Sequence, residues 1–115
     1  MSIKERKYNE EILSKYEDIT KDFDLIKIQQ GMSVKKKVRY NNPDDEDKNF
    51  IVDSTDDIIV VRTKELRIES KSSEYIRLVF NMPKTLGTYS ASVVVTNKDN
   101  NKIEEILRFH ILVVP

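Results

Sequence analysis

The 115-residue sequence contains no cysteine and no tryptophan, only two glycines, and a single histidine. Without cysteine the chain can form no disulfide bond and has no thiolate with which to bind a metal. A small domain without disulfides fits a reducing compartment. We therefore expect a cytoplasmic protein that folds without a covalent or metal cross-link and that uses no cofactor.

The chain also lacks an excess of either charge and has no long apolar run. Twenty Lys and Arg residues balance twenty Asp and Glu residues, whereas nucleic-acid-binding domains are usually basic. The longest apolar runs are four residues, at 58–61 and 111–114, far shorter than a membrane span. Residues 1–7 show no apolar segment of the signal-peptide kind. These features predict one domain that binds no nucleic acid and does not insert directly into a membrane.

Residues for catalysis or metal binding are sparse. His110 is predicted to be a surface residue, because a catalytic histidine needs a nucleophile and an orienting group beside it. Gly31 and Gly87 lie too far apart to form a phosphate-binding loop. The acidic run 44–47 offers oxygen ligands that suit calcium, but it lacks the EF-hand pattern, so a solvated loop is the favoured interpretation. We expect neither an enzyme nor a metal site.

The first part of the chain has helical spacing. Apolar residues recur at intervals of three or four and form one stripe: Tyr8, Ile12, Tyr16, Ile19 and Phe23. This pattern predicts an N-terminal amphipathic helix or linker over residues 1–23, which is marginal alone in water and must bury its stripe. The stripe could pack on the protein's own sandwich, belong to the tail of a preceding domain, or dock a partner. In the last case Tyr8, Ile12, Tyr16 and Ile19 are candidate partner-binding residues.

From residue 24 onward the apolar residues alternate with polar ones, as in half-buried strands. We expect strands at 25–28, 33–41, 50–52, 58–62, 66–68, 74–80, from 87 to the polar turn at 97–102, and 103–114. Pro43 and Pro83 should stand at strand ends, since proline cannot donate to a sheet ladder. Seven or eight short strands predict an all-β, immunoglobulin-like antiparallel sandwich over 24–115. Its core should contain Phe50, Ile76, Leu78, Phe80, Tyr89 and Phe109.

One predicted strand is notably basic. Lys35, Lys37 and Arg39 project from the same side of strand 33–41, and Lys36 from the other. Together with Arg62, Arg67 or Arg77 from neighbouring strands they would form a positive patch that attracts acidic or phosphorylated segments. The alternative is that these charges only protect an edge strand from aggregation. Lys35, Lys37 and Arg39 are therefore candidate partner-binding residues.

The order of the segments carries a family resemblance. The basic strand ends in Asn42-Pro43, Phe50-Ile51-Val52 follows, and a segment of the form apolar-x-Phe-x-x-Pro ends at Pro83 before Leu86-Gly87. Over about Lys21 to Val114 this order resembles the major sperm protein type of sandwich, and in particular the C-terminal domain of the nephrocystin-4 family.

The resemblance implies an immunoglobulin-like sandwich, preceded here by the predicted helix, that acts as a non-enzymatic protein–protein interaction module. It implies a scaffold at the ciliary transition zone or basal body, with ciliary scaffold proteins or acidic or phosphorylated peptide segments as partners. The alternative is a self-assembling cytoskeletal or axonemal component, as major sperm protein is. It supplies no catalytic residue and no peptide-binding residue that can be matched here.

Overall fold

The computed structural model describes residues 8–115, which form two β-sheets packed face to face behind a short helical segment. Helix α1 (Glu10–Leu13) continues into a 3-10 helix (Ser14–Ile19). The strands of the described chain are β1 (Thr20–Asp22), β2 (Ile26–Gln29), β3 (Ser33–Asn41), β4 (Lys48–Ser54), β5 (Ile59–Val61), β6 (Glu65–Ile68), β7 (Ser73–Asn81), β8 (Gly87–Asn97) and β9 (Ile103–Val114). The predicted immunoglobulin-like β-sandwich is confirmed.

The strands divide into a six-stranded and a three-stranded sheet. In the larger sheet β9, β8, β4 and β6 follow one another, and both β1 and β2 pair with the free side of β9. The smaller sheet has the order β3-β7-β5. All pairs among β3 to β9 are antiparallel, but β1 and β2 run parallel to β9, which the sequence did not predict. A parallel pair needs a long connection, and here most of the domain lies between the two partners.

The core lies between the sheets, as the alternation predicts. Phe50, Ile76, Leu78, Phe80 and Phe109 are all buried, while Tyr89 is half-buried at the margin of the same cluster. Phe109 is central, because its ring stacks on Phe23 at 4.5 Å and meets Phe80 edge-on at 5.2 Å. Aromatic rings prefer these geometries, and such pairs add to the stabilisation from burial.

The prediction of a continuous helix up to residue 23 is wrong. The α-helix ends at Leu13, Tyr16 has a non-helical φ of −118°, and Thr20–Asp22 forms a strand. Pairing with β9 supplies this segment with backbone hydrogen bonds, and Phe23 enters the main core. Part of the predicted helix, residues 1–7, lies outside the described residues. The division of the chain at residue 24 stays a prediction, although β1 already contributes a strand to the sandwich.

The N-terminal segment covers an apolar patch on the outer face of the six-stranded sheet. Tyr8 and Leu13 are buried against Val94 and Ile106, with Tyr16 packed at the margin. Val94 and Ile106 are the outward residues of β8 and β9, so this small cluster is separate from the main core. No helix in residues 8–115 has the length and apolar character needed to cross a membrane.

Candidate protein-binding site

The outer face of the three-stranded sheet gathers cations from β3, from β7 and from the residue that follows β5. Lys37 lies directly opposite Arg77 in the β3–β7 pair, and Arg62, which follows β5, donates its backbone N–H to the carbonyl of Arg77 at 2.8 Å. We call this surface the basic face and define it by five exposed cations: Lys35, Lys37, Arg39, Arg62 and Arg77. Period-two alternation placed the first three on one side of β3, and sheet pairing adds the two arginines.

The charge of the basic face is not neutralised locally. Within residues 8–115 none of its five cations forms an ion pair, whereas cations elsewhere do: Arg67 with Asp47, Lys71 with Asp45, and Lys98 with Glu65. Arg67 was a candidate for the same patch, but it lies on β6 in the other sheet and belongs to one of these pairs. The outward positions of β3 and β7 carry no carboxylate. A neutral protein therefore presents one strongly positive surface.

The basic face also offers exposed apolar surface. The Nζ atom of Lys37 lies 4.5 Å from the ring centre of Tyr75, which is 42% exposed. Val60 on β5 is 40% exposed. A depression of about 540 Å³ extends from β3 across β7 to the residues that follow β5, and it is lined by basic-face residues together with Lys36, Thr63, Leu78 and Val79. Cations beside apolar side chains suit a peptide, which brings both carboxylates and aliphatic groups.

The residues of the predicted helical stripe lie elsewhere. Tyr8 is buried, Tyr16 and Ile19 are half-buried, and Ile12 is 37% exposed. Tyr8 packs on the outer face of the six-stranded sheet, so the structure does not bring the stripe together with the basic face. The interpretation in which the helix packs on its own sandwich fits the position of Tyr8. A partner-binding role for the stripe stays a prediction.

An ionic cluster on the outer face of the six-stranded sheet was not foreseen. Arg108 donates hydrogen bonds to both Glu17 and Asp22, and His110 Nε2 lies 2.8 Å from an oxygen of Asp22. The Arg108 guanidinium, with His110, holds the pKa of Asp22 well below its usual range, and Arg108 also lowers the pKa of Glu17. Alternation alone put Arg108 and His110 on one face. Only the parallel docking of β1 brings in Asp22, the carboxylate that both of these side chains contact.

This cluster includes a serine, a histidine and an aspartate in contact. Ser90 Oγ lies 3.0 Å from His110 Nδ1, and a carboxylate oxygen of Asp22 lies 2.8 Å from His110 Nε2. In a catalytic triad the serine contacts Nε2 and the aspartate contacts Nδ1, the reverse of this order. Asp22 is also held by Arg108, and all these side chains lie on the open outer face of a sheet. We interpret the group as a structural cluster that ties β1 to β9.

The acidic run 44–47 is largely occupied by ion pairs. Asp44 pairs with Lys48, which lowers the pKa of Asp44 and raises that of Lys48. Asp45 pairs with Lys71, and Asp47 with Arg67. In residues 8–115 there is no group of three or more His, Asp or Glu residues arranged to hold a metal ion.

Solved structures with a similar fold include several sandwich domains. The seventh PapD-like (ASH) domain of human CEP192 matches with a TM-score of 0.56 and 13% identity, covering 84% of this chain and 81% of that one. SSP-19, a protein of the major sperm protein type from Caenorhabditis elegans, matches with a TM-score of 0.52 and 7% identity, over 76% and 92%. The E. coli chaperone DraB matches at 0.59 and 10%, over 82% and 57%. At such identities the likeness establishes the fold alone.

The sequence comparisons are more specific. No curated protein matches the chain. A family model described as NPH4 Ig-like domain 4 matches residues 20–114, which span β1 to β9 and thus the whole sandwich. The match also agrees with the resemblance carried by the ordered segments from Asn42-Pro43 to Leu86-Gly87. The chain therefore belongs to the NPH4 Ig-like domain 4 family, whose immunoglobulin-like fold it shares.

Proposed function

We propose that this domain is a non-enzymatic protein-interaction module of a cytoplasmic scaffold at the ciliary transition zone or basal body. Its basic face receives an acidic or phosphorylated segment of a partner protein. Family membership supports the interaction role and the ciliary setting. The observation that carries the binding site is the group of five exposed cations, none of them ion-paired within residues 8–115.

Arg77 separates this proposal from the alternative that the charges only prevent aggregation. Protective charges are needed on edge strands, whose free backbone groups can pair with other chains. Lys35, Lys37 and Arg39 are on the edge strand β3, but Arg77 is on β7, which is flanked by β3 and β5. A cation in the middle of the sheet protects no edge, yet it extends the positive surface.

Several cations together are needed for useful affinity. One exposed ion pair contributes only about 0.2–1 kcal/mol. Arginine can bind a carboxylate or phosphate through two parallel hydrogen bonds, which are stronger and more directional. Arg39, Arg62 and Arg77 supply such groups, and Tyr75 offers apolar contact beside them. We therefore expect a partner segment that carries several negative charges.

The test compares two triple variants of equal charge in binding to a labelled glutamate-rich peptide. The first replaces Lys35, Lys37 and Arg39 with serine, and the matched control replaces the exposed Lys15, Lys64 and Lys102. We expect the first variant to bind at least about tenfold more weakly, a loss of about 1.4 kcal/mol. The control should bind within about twofold of the parent. Equal loss in both variants, or no binding by the parent, would refute the basic face as the site.

The ciliary role requires a separate test in cells. The domain, expressed with a fluorescent tag in ciliated cells, should concentrate at the cilium base, and the basic-face variant should do so less than the control variant. A uniform distribution of the parent would contradict the proposed location without affecting the peptide result.

A further inference from the structure

Strand β3 combines the basic face with a free sheet edge. It is the outermost strand of the order β3-β7-β5, and all nine of its residues pair with β7 on one side. Among residues 8–115 no strand pairs with its other side. Such an edge presents unpaired N–H and C=O groups to which another strand can add.

The hydrogen-bond phase shows which residues carry those groups. Met82 donates its N–H to Met32 just before β3, and Asn42 donates to Ser72 just after it, both at 2.9 Å. Directly opposite residues of an antiparallel pair alternate between bonded and unbonded. The even-numbered residues of β3 therefore bond to β7, and Lys35, Lys37 and Arg39 direct their N–H and C=O groups outward. Arg77, which lies opposite Lys37, accepts a hydrogen bond from the N–H of Arg62. Its carbonyl therefore points toward β5 and not toward β3, which agrees with this phase.

The other face of the same edge is mainly apolar. A depression of about 200 Å³ separates β3 from β2, the neighbouring edge of the six-stranded sheet. Its lining combines four apolar side chains, Ile26, Ile28, Met32 and Val34, with Lys27, Gln29 and Lys36 at its margin, and Met32 is 48% exposed. A strand added to β3 would point alternate side chains toward the basic face and the intervening ones toward this depression.

We infer that β3 is a strand-addition site for an extended partner segment in which acidic residues alternate with aliphatic residues. This inference rests on the proposed function and specifies the conformation and sequence pattern of the partner. The backbone ladder gives affinity, the acids contact Lys35, Lys37 and Arg39, and the aliphatic residues fill the depression between β3 and β2. A second copy of the domain is a poor occupant, because pairing β3 with β3 would bring these like charges together.

The experiment uses two synthetic peptides as long as β3 and identical in composition. In one, glutamate alternates with valine; in the other, the glutamates form a single block. A third peptide repeats the alternating sequence with N-methyl groups on alternate amides, which blocks its ladder on one side. We expect the alternating peptide to bind at least about tenfold more tightly than the block peptide. The N-methylated peptide should lose binding when its methyl groups lie on the side that faces β3, because they remove the N–H donors of the new ladder.

Amide hydrogen exchange locates the new ladder. The bound alternating peptide should slow exchange of the Lys35, Lys37 and Arg39 amides by at least about tenfold. The amides of Lys36 and Val38, already bonded to β7, should change far less. Equal affinity for both peptides with unchanged exchange at the three amides overturns strand addition. If the binding of both peptides is nevertheless lost in the variant that has serine in place of Lys35, Lys37 and Arg39, the basic-face proposal stands. Failure of both peptides to bind overturns both proposals.

Discussion

The guanidinium of Arg108 donates two hydrogen bonds to the Asp22 carboxylate, at 2.6 Å and 3.0 Å, although 86 positions separate the residues in the chain. The same guanidinium donates two more to Glu17. These bonds fasten the 3-10 helix and β1 to the last strand. They hold the N-terminal segment where Tyr8 and Leu13 cover Val94 and Ile106.

Asp22→Asn should lower stability at neutral pH but not in strong acid. The pKa of Asp22 is lowered in the folded state, so the unfolded state binds the proton more readily. The contribution of the carboxylate is therefore complete above the ordinary pKa of 3.8 and falls as the pH drops below it. Melting temperatures of parent and variant should differ at pH 7, and the difference should shrink as the pH falls from 3.8 toward the lowered pKa of the folded state. A constant difference across this range would show that the ion pair is not its cause.

Asn42→Ala should destabilise the domain by about 1–3 kcal/mol, because it removes a buried side-chain donor from the carbonyl of Ile68 and from the partly buried carbonyl of Glu46. The Asn42 side chain is buried and donates to the carbonyls of Glu46 and Ile68, at 2.8 Å and 3.1 Å. Its oxygen accepts from the Asp44 amide. Urea denaturation measures the loss, and Asn41→Ala, at an exposed neighbour, should stay within about 0.5 kcal/mol of the parent. Similar losses in both would argue against a special role for Asn42.

Phe80→Ala should cost about 3–5 kcal/mol of unfolding free energy, a large part of the stability of a small domain. Phe80 is fully buried and contacts Phe109 at the centre of the core. Tyr75→Ala on the outer face of the same strand should cost no more than about 1 kcal/mol, mainly from its contact with Lys37. Denaturant titration of the two variants provides the comparison. A small effect at Phe80 would mean that the strand faces the opposite way.

Binding of an acidic peptide should weaken with salt but not vanish if strand addition contributes. The Debye length shortens from roughly 10 Å at 0.1 M to roughly 3 Å at 1 M ionic strength, which screens the exposed cations of the basic face. Backbone hydrogen bonds depend on salt far less. We expect a several-fold loss of affinity in a titration of sodium chloride, with measurable binding left at the highest concentration. Affinity that is independent of salt would contradict the charge-based part of the site.

The isolated domain should stay monomeric at moderate concentration. Like charges at Lys35, Lys37 and Arg39 oppose pairing of two β3 edges. Sedimentation at increasing protein concentration should therefore give a constant mass. A mass that grows with concentration would favour the alternative of a self-assembling structural component.

The N-terminal segment is the part of the chain where the structure differs most from the sequence-based prediction. Its apolar spacing fits a helix, but spacing reports only local periodicity and not the partner that will cover the residues. Leu13, outside the predicted stripe, is buried, while Ile12 within it is 37% exposed. The free edge of β9 gives Thr20–Asp22 a ladder of hydrogen bonds, and this tertiary pairing outweighs a marginal helical preference.

The amino-acid sequence was enough to predict the two-residue alternation of the strands, the burial of Phe50, Phe80 and Phe109, and the common direction of Lys35, Lys37 and Arg39. These features depend on the pleat, which sends successive side chains to opposite faces whatever the neighbouring strand is. Tertiary structure alone decided that Arg77 and Arg62 join the basic face, that β3 keeps a free edge, and that Asp22 meets Arg108. Each of these depends on which strands become neighbours, and pairing between residues distant in the chain leaves no local signal in the sequence.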